Sequence, residues 1–222
     1  RWTAWVTDER GQVRVWWSYG QRKRCIAKVD HKLTRITDDT YPVLAWHPSL
    51  PVLAHIHEDK GRVFLTISDA ASGESNKQEL FRIEKVIDLD WSPDGRRIAF
   101  SGVRAGKTDL YIYNTLAGSQ VPLWEDGWDD LNPDWTPDGR GLLFSSNRPG
   151  EGDVDTSPAV PVNRPRDLWL YDLDSQVMER ITETPEDDEV RPLALDGATM
   201  TYQLAEEPST IHMAKRDSAI LR

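Results

Sequence analysis

Two stretches, DWSPDGRRIAFSG at residues 90–102 and DWTPDGRGLLFSS at residues 134–146, repeat nearly the same thirteen residues. The second stretch begins at position 134, which is 44 positions after the start of the first at 90. A motif that recurs with a period of about 20 to 50 residues is typical of solenoids, propellers and other repeat architectures. The spacing of this motif is therefore the first constraint on the fold.

The segments around the first copy read as four short strands joined by tight turns, in the order VIDLDW, RRIAFSG, DLYIYNT and QVPLW. The strands are rich in β-branched and aromatic residues, and Gly, Pro, Asn and Asp separate them. In the SPDG turn, Pro93 fixes the φ of the second position, Asp94 tolerates the third, and Gly95 accepts a positive φ. Four short strands in about 44 residues are typical of one propeller blade.

Other units along the chain can be aligned with this one by the residue that ends their first strand. Trp46, Trp91 and Trp135 head successive units, and Leu195 heads a later one after an insertion. Upstream, RWTAWVTD, QVRVWWSYG and KRCIAKVD resemble the last three strands of an earlier unit. The sequence predicts an all-β fold in a single domain, residues 1–222, with repeat units at about 1–41, 42–86, 87–130, 131–190 and 191–222.

These units predict a β-propeller of four-stranded antiparallel blades. The strand count per unit is three, four, four, four and about three, roughly eighteen in all. Closed rings usually contain whole blades, since closure removes exposed strand edges. We therefore expect the five visible repeats to be an incomplete part of a six- or seven-bladed ring, with further domains or blades in the same polypeptide.

Composition excludes several classes of function. The net charge of −10 and the pI near 5.0 disfavour a general nucleic-acid binder. No apolar run approaches the roughly 18 residues of a membrane-spanning helix, so we expect no direct membrane insertion. The single Cys25 cannot form an intrachain disulfide.

The recurring Trp-x-Pro-Asp-Gly element favours a structural role over a functional one. We expect each tryptophan to fill the gap between neighbouring blades and the following residues to form a hairpin. The stretch WHPSLP departs from the pattern at Ser49 and Leu50, which predicts a different turn there. The structural set comprises Trp46, Pro48, Trp91, Pro93, Asp94, Gly95, Trp135, Pro137, Asp138 and Gly139.

No metal, cofactor or catalytic motif is predicted. Asp88, Asp90 and Asp94 lie close in sequence, but Pro93 stands where a calcium loop needs glycine. Asp153 and Asp155 give a similarly weak hint, and His55 with His57 lacks an identifiable third zinc ligand. The sequence contains no GxSxG, phosphate-binding or dinucleotide-binding motif, so we expect no enzyme activity from this chain.

The insertion before DLWLYDL is the main irregularity. It carries Pro149, Pro158, Pro161 and Pro165 and is expected to form an extended, semi-rigid loop. Long loops on a repeat scaffold often bind partners, but covering a blade edge or packing on a further domain is an equal alternative. The candidate partner-binding anchors in loops are Trp128, Arg148, Arg164 and Arg166.

The motifs DLDWSPDGRRIAFSG…DLYIYNT and FSSNRPG…DLWLYDL…ERITETP resemble the repeats of TolB-type β-propellers, and the run of repeats is similar to that of large TolB-like proteins of Bacteroidetes-like bacteria. The resemblance implies a periplasmic or envelope-associated, non-catalytic propeller that binds another envelope protein or peptide. Similar propellers gate substrate entry in prolyl-oligopeptidase-type serine peptidases, which is the alternative function. A glycan-binding function is a third, but no sugar site is identifiable.

Overall fold

The computed structural model describes residues 2–9, 12–30, 43–150, 164–184, 187–196 and 198–215. Within these ranges the regular elements are all β-strands, which confirms the all-β prediction. No helix in them is long and apolar enough to cross a membrane.

Eighteen strands in the described ranges form five antiparallel sheets of three, four, four, four and three strands, as the repeat spacing predicted. We call these sheets blades 1 to 5 in chain order. Blade 1 contains β1 (Trp2–Glu9), β2 (Gln12–Tyr19) and β3 (Arg22–Asp30). Blade 2 contains β4 (Leu44–Trp46), β5 (Val52–Asp59), β6 (Arg62–Asp69) and β7 (Ser75–Glu79).

Blade 3 contains β8 (Lys85–Trp91), β9 (Arg97–Arg104), β10 (Lys107–Asn114) and β11 (Ser119–Pro122). Blade 4 contains β12 (Asp130–Trp135), β13 (Gly141–Ser146), β14 (Asp167–Asp172) and β15 (Met178–Arg180), and blade 5 contains β16 (Glu189–Ala194), β17 (Thr199–Leu204) and β18 (Glu207–Lys215). β8 and β16 each begin two residues before the predicted unit boundaries at 87 and 191, because strand pairing extends upstream.

The first strands of blades 2 to 5 lie adjacent to one another. β4 contacts β8, β8 contacts β12, and β12 contacts β16. Every residue of the fourth strand β7 is exposed, whereas β13 is buried along its whole length. This arrangement, with the first strands innermost, is that of consecutive blades of an incomplete β-propeller.

The hydrophobic core lies between blades. In β9, Ile98 and Phe100 pack against blade 2, while Ala99 between them packs with Trp135 and Leu142 of blade 4. All three β9 side chains are at most 1% exposed. Alternate residues of a strand face opposite sides, so a strand buried between two neighbours is apolar throughout.

The repeated tryptophans fill the gaps between blades, as predicted. Trp91 and Trp135 are 5% and 4% exposed. The indole Nε1 of Trp91 donates to the Ala45 carbonyl at 3.1 Å, and that of Trp135 donates to the Asp90 carbonyl at 3.3 Å. Each tryptophan thus binds the first strand of the preceding blade.

The SPDG and TPDG segments form the predicted hairpin turns. The Ser92 hydroxyl donates to Asp94 Oδ1 at 2.6 Å and accepts from the Arg97 backbone N–H at 2.9 Å. Thr136 and Asp138 make the equivalent contact, also at 2.6 Å. The glycines Gly95 and Gly139 have φ of 68° and 71°, a region open to glycine.

The turn after Trp46 differs, as predicted from WHPSLP. His47 takes the place of the serine, and its Nδ1 accepts hydrogen bonds from the backbone N–H groups of Ser49 and Leu50 at 3.2 and 3.1 Å. The His47 N–H still donates to the Val52 carbonyl at 2.8 Å, as Ser92 does to Arg97. The loop keeps its length but uses an imidazole instead of a hydroxyl and an aspartate.

Candidate functional site: the acidic inner strands

Asp or Asn side chains recur on the inner strands just before Trp91 and Trp135. Asp88 and Asp90 stand three and one positions before Trp91 in β8, and Asn132 and Asp134 occupy the equivalent positions of β12. All four side chains are half-buried. Asp88 and Asp90 lie two apart in the regularly paired part of β8, so they project to the same side of blade 3.

A bulge in each of the last three inner strands turns these side chains toward the next blade. The irregularities lie between Val86 and Asp88, between Leu131 and Asp134, and between Val190 and Leu193. Asn132 and Arg191, which lie inside two of them, have φ of 53° and 51°. Bulges bend a strand and re-aim its side chains, which here leads to contacts across the blade junctions.

Two aspartates bind the backbone of the following blade. Asp90 Oδ2 accepts from the Trp135 N–H at 3.0 Å, and Asp134 Oδ2 accepts from the Ala194 N–H at 2.7 Å. A hydrogen bond of this kind therefore joins blade 3 to blade 4 and blade 4 to blade 5.

A second set of contacts runs parallel to the first. The Asn132 side-chain amide donates to Asp88 Oδ2 at 3.1 Å, and Asn132 Oδ1 accepts from the Arg191 N–H at 3.4 Å. Asp88, Asp90 and Asp134 form what we call the acidic row.

The acidic row is short of positive charge. Burial, reinforced by the charge of Asp88, raises the pKa of Asp90 to about 6 although backbone hydrogen bonds oppose the shift. Burial and the charges of Asp90 and Asp88 raise the pKa of Asp134 to about 7. The pKa of Asp88 is also raised by burial, with the Arg191 charge acting in the opposite direction. A cation placed against this row would stabilise the ionised carboxylates.

The calcium trio considered from the sequence does not assemble. The Asp94 carboxylate lies in its own turn, where it accepts hydrogen bonds from the Ser92 hydroxyl and the Arg96 N–H. These hydrogen bonds, with the Ser92 contact first, lower the pKa of Asp94. Asp88 and Asp90 face the next blade instead. Asp153 and Asp155 lie outside the described residues.

Arg148, predicted as a partner anchor, is engaged within the chain. Its Nη2 contacts both carboxylate oxygens of Asp130 at 2.8 and 2.7 Å, and its Nη1 lies 3.1 Å from Asp126 Oδ2. The guanidinium also lies within 6 Å of aromatic ring centroids, at 5.2 Å from Trp124 and 5.7 Å from Phe144. The side chain is 10% exposed, so Arg148 acts as an internal ion-pair partner.

Of the other predicted anchors, Arg166 links two blades. Arg166 Nη1 contacts the two carboxylate oxygens of Asp188 at 2.9 and 2.8 Å, which links blade 4 to the segment leading into blade 5. Trp128 and Arg164 are half-buried. Residues 151–163 of the insertion lie outside the described ranges. Partner contact by Trp128, Arg164 and Arg166 stays a prediction.

His55 is buried and His57 is half-buried, and burial lowers the pKa of both. His55 is 1% exposed and its ring centroid is 5.8 Å from that of His57. Burial, with a smaller effect of His57, lowers the pKa of His55 to about 4. Among the described residues, no third ligand group joins the two histidines in a metal-binding set.

The sequence carries one signal for the acidic row: DLDW and NPDW place an Asp or Asn at the same two positions before tryptophan. Asp88 and Asp90 are weighed above only as calcium ligands, and Asn132 and Asp134 are assigned no role there. Their contact with the next blade depends on the bulges, which are not visible in the residue pattern.

No protein-family model matches the chain. Among solved structures it is similar to TolB from Acinetobacter baumannii, with a TM-score of 0.65 and 17% identity, over 96% of this chain and 51% of that chain. It is also similar to the tricorn protease, with a TM-score of 0.61 and 14% identity, over 90% of this chain and 18% of that chain.

A further similarity is to a prolyl endopeptidase, with a TM-score of 0.57 and 10% identity, over 98% of this chain and 36% of that chain. The chain spans about half the length of the TolB chain that it matches. At these identities the likeness is one of fold, and the chain has the fold of a TolB-type β-propeller.

Proposed function

We propose that this chain is a non-catalytic interaction scaffold of the bacterial envelope that binds a cationic segment of a partner protein at the acidic row. The observation that carries the proposal is the set of three half-buried carboxylates on adjacent inner strands, with the pKa of Asp90 raised to about 6 and that of Asp134 to about 7. An envelope location is supported by the resemblance to TolB-type propellers.

The physical argument is charge complementarity on a rigid frame. Backbone hydrogen bonds to Asp90 and Asp134 hold the carboxylates in place before a partner arrives, so binding costs little side-chain ordering. A guanidinium or ammonium group from the partner would offset the burial of these carboxylates. The chain's net charge of −10 adds long-range attraction for a basic partner, which salt would screen.

The test is binding of a labelled lysine- and arginine-rich peptide, followed by fluorescence anisotropy. A peptide of the same length with glutamate at the basic positions is the specificity control. The Asp88→Asn, Asp90→Asn, Asp134→Asn triple variant removes charge but keeps an oxygen acceptor for each hydrogen bond. We expect it to lose about tenfold or more in affinity, with the wild type binding better at about pH 8 than at about pH 6.

A matched triple variant separates local from overall charge. Glu74→Gln, Asp138→Asn and Asp174→Asn remove three exposed carboxylates outside the acidic row. This variant should keep most of the affinity. Equal losses in the two triple variants, or binding of both peptides alike, would contradict the proposed site.

The second candidate is the substrate-gating propeller of a serine peptidase whose catalytic domain lies elsewhere in the polypeptide. The similarity of fold to a prolyl endopeptidase over 98% of this chain supports it. An activity assay of the full-length protein distinguishes the scaffold from the peptidase. Hydrolysis of a chromogenic proline peptide that a serine-directed inhibitor blocks favours the peptidase, and its absence in a folded full-length protein favours the scaffold.

A further inference from the structure

One position at the start of the third strand can be compared across three blades. In blades 2, 3 and 4 the residue directly after the fourth strand donates its N–H to a third-strand carbonyl, at Val63, Leu110 and Leu168 respectively. The residue just before each carbonyl is therefore equivalent: Arg62, Asp109 and Asp167. The matching fourth-strand residues are Glu79, Pro122 and Arg180.

In two of these blades the equivalent residues form an ion pair. Arg62 Nη1 lies 3.2 Å from Glu79 Oε2 in blade 2. The charges are exchanged in blade 4, where Arg180 Nη2 lies 2.6 Å from Asp167 Oδ2. In blade 3 the partner position holds Pro122, whose side chain has no polar group.

A second partner is also replaced in blade 3. In blade 4 the Thr184 N–H donates to Asp167 Oδ1 at 3.0 Å. Thr184 stands four residues after Arg180, and the residue four after Pro122 is Asp126. Asp109 therefore faces a carboxylate at a place where its counterpart Asp167 faces a hydrogen-bond donor.

Asp109 is buried without compensation. Its side chain is 5% exposed, and its Oδ1 is buried and accepts no hydrogen bond from the described residues. One carboxylate oxygen from each of Asp109, Asp126 and Asp130 lies within 4.8 Å of the others. An unsatisfied buried carboxylate is costly, so a native structure normally supplies it with a partner.

Charge and ligand chemistry indicate what that partner is. The three carboxylates carry three negative charges, and the Arg148 guanidinium, which pairs with Asp126 and Asp130, supplies one positive charge. A divalent cation would balance the remainder. All three groups offer oxygen, the ligand of hard cations, and a spacing up to 4.8 Å matches oxygens on opposite sides of a Ca²⁺ ion at about 2.4 Å each.

We propose that Asp109, Asp126 and Asp130 bind a Ca²⁺ ion at the junction of blades 3 and 4, in the place that the Arg180 guanidinium takes at the next junction. The ion joins β10 of blade 3, the linker between the blades and the first residue of β12. Arg148 keeps its contacts with both Asp130 oxygens and orients that carboxylate.

The experiment uses Tb³⁺ as a luminescent substitute for Ca²⁺. Trp124 Nε1 donates to Asp130 Oδ2, so an indole lies next to the site and can sensitise Tb³⁺ emission. Metal-free chain is titrated with Tb³⁺ under tryptophan excitation, and Ca²⁺ or Mg²⁺ is then added as competitor. We expect saturable emission that Ca²⁺ displaces at lower concentration than Mg²⁺, and a melting temperature that rises with Ca²⁺.

Two variants test the assignment, and circular dichroism checks that each is folded. Asp109→Asn should reduce Tb³⁺ affinity about tenfold or more. Pro122→Arg restores the arrangement of blade 4 and should fill the site, abolishing sensitised emission and the effect of Ca²⁺ on melting. Val121→Arg is the matched control, because it adds the same charge at the adjacent exposed position on the opposite face of β11 and should still bind.

Several outcomes would overturn the proposal. The first is the absence of saturable Tb³⁺ emission from the folded wild type. The second is Tb³⁺ emission that Asp109→Asn leaves unchanged, and the third is an equal loss of Tb³⁺ emission in Pro122→Arg and Val121→Arg.

Discussion

Asp134 Oδ2 accepts a hydrogen bond from the backbone N–H of Ala194 at 2.7 Å, which joins the inner strand of blade 4 to that of blade 5. Asp90 and Trp135 form the same link one junction earlier, at 3.0 Å. Each link satisfies a strand-edge N–H, but it also holds a carboxylate where burial raises its pKa. We therefore expect the stability of these two junctions to depend on pH.

The first prediction concerns Asp134→Asn. The pKa of Asp134 is raised from its ordinary value of 3.8 to about 7, chiefly by burial. Between these values the folded chain keeps a proton that the unfolded chain has lost, so stability falls as pH rises through this window. Asn keeps the acceptor without the charge. Urea unfolding should show it more stable than wild type at about pH 8, by on the order of 4 kcal/mol, and similar at about pH 4.

Asp138→Asn is the control for this prediction. Hydrogen bonds, first from the Thr136 hydroxyl, lower the pKa of Asp138, so its stabilising effect is present at neutral pH and is lost in acid. This variant should be less stable than wild type at neutral pH, the opposite sign from Asp134→Asn. If the unfolding free energy of both variants depends on pH as that of the wild type does, the shifted pKa values of Asp134 and Asp138 are contradicted.

The second prediction concerns Trp91 and Trp135, the tryptophans that fill the gaps between blades and are called wedge tryptophans below. Trp91→Ala and Trp135→Ala each remove a side chain that is at most 5% exposed, together with a hydrogen bond to the preceding blade. Large-to-small truncations of this kind cost about 3–5 kcal/mol of unfolding free energy. Trp128→Ala, at a half-buried loop position, should cost less. Wedge variants that melt within about two degrees of wild type would refute the packing role.

The blades, their order and their turns could be predicted from the sequence because each depends on short-range chemistry. Trp91, Pro93 and Gly95 act within one hairpin, and a period of about 44 residues repeats that hairpin along the chain. The turn at His47 could be predicted as different for the same reason, although the imidazole acceptor could not.

The site residues could not be predicted because they depend on contacts between distant positions. Arg148 lies in a loop by sequence, which favoured an exposed anchor, yet it pairs with Asp130 across a separation of 18 residues. The gap at Asp109 becomes visible only when the strand register places Pro122 where blade 4 has Arg180.

The third prediction compares Gly95→Ala with Gly139→Ala. Both glycines have positive φ, so alanine at either position should lower the unfolding free energy by a similar amount, about 1 kcal/mol, through backbone strain. A Cβ at Gly95 would lie 1.9 Å from His47 Nε2, whereas a Cβ at Gly139 would lie 3.6 Å from Pro93, an ordinary contact. Gly95→Ala should therefore lower the melting temperature more.

A His47→Ala background tests the cause of this difference. The His47 ring packs on Trp91 at a centroid distance of 4.9 Å and caps its own turn, so it cannot move away without loss. Removing the ring should abolish the extra cost of Gly95→Ala and leave the two glycine variants similar. A difference that persists without His47 would assign the cost to the backbone.

The fourth prediction decides whether Arg148 stabilises the chain or contacts a partner. Arg148→Met leaves the Asp130 carboxylate, which is fully buried, without its ion-pair partner. Breaking a buried pair costs about 3–5 kcal/mol, whereas Arg140→Met, at an exposed pair with Asp174, should cost at most about 1 kcal/mol. Chemical denaturation of both variants measures the difference.

A double-mutant cycle completes this test. In an Asp130→Asn background the charge left behind by Arg148→Met is absent, so the second substitution should cost much less than it does in wild type. Arg148→Lys keeps the charge but lacks the planar fork that contacts both Asp130 oxygens, and it should recover only part of the stability. Normal stability of Arg148→Met combined with weaker peptide binding would instead make Arg148 a partner anchor, as its position in a loop first indicated.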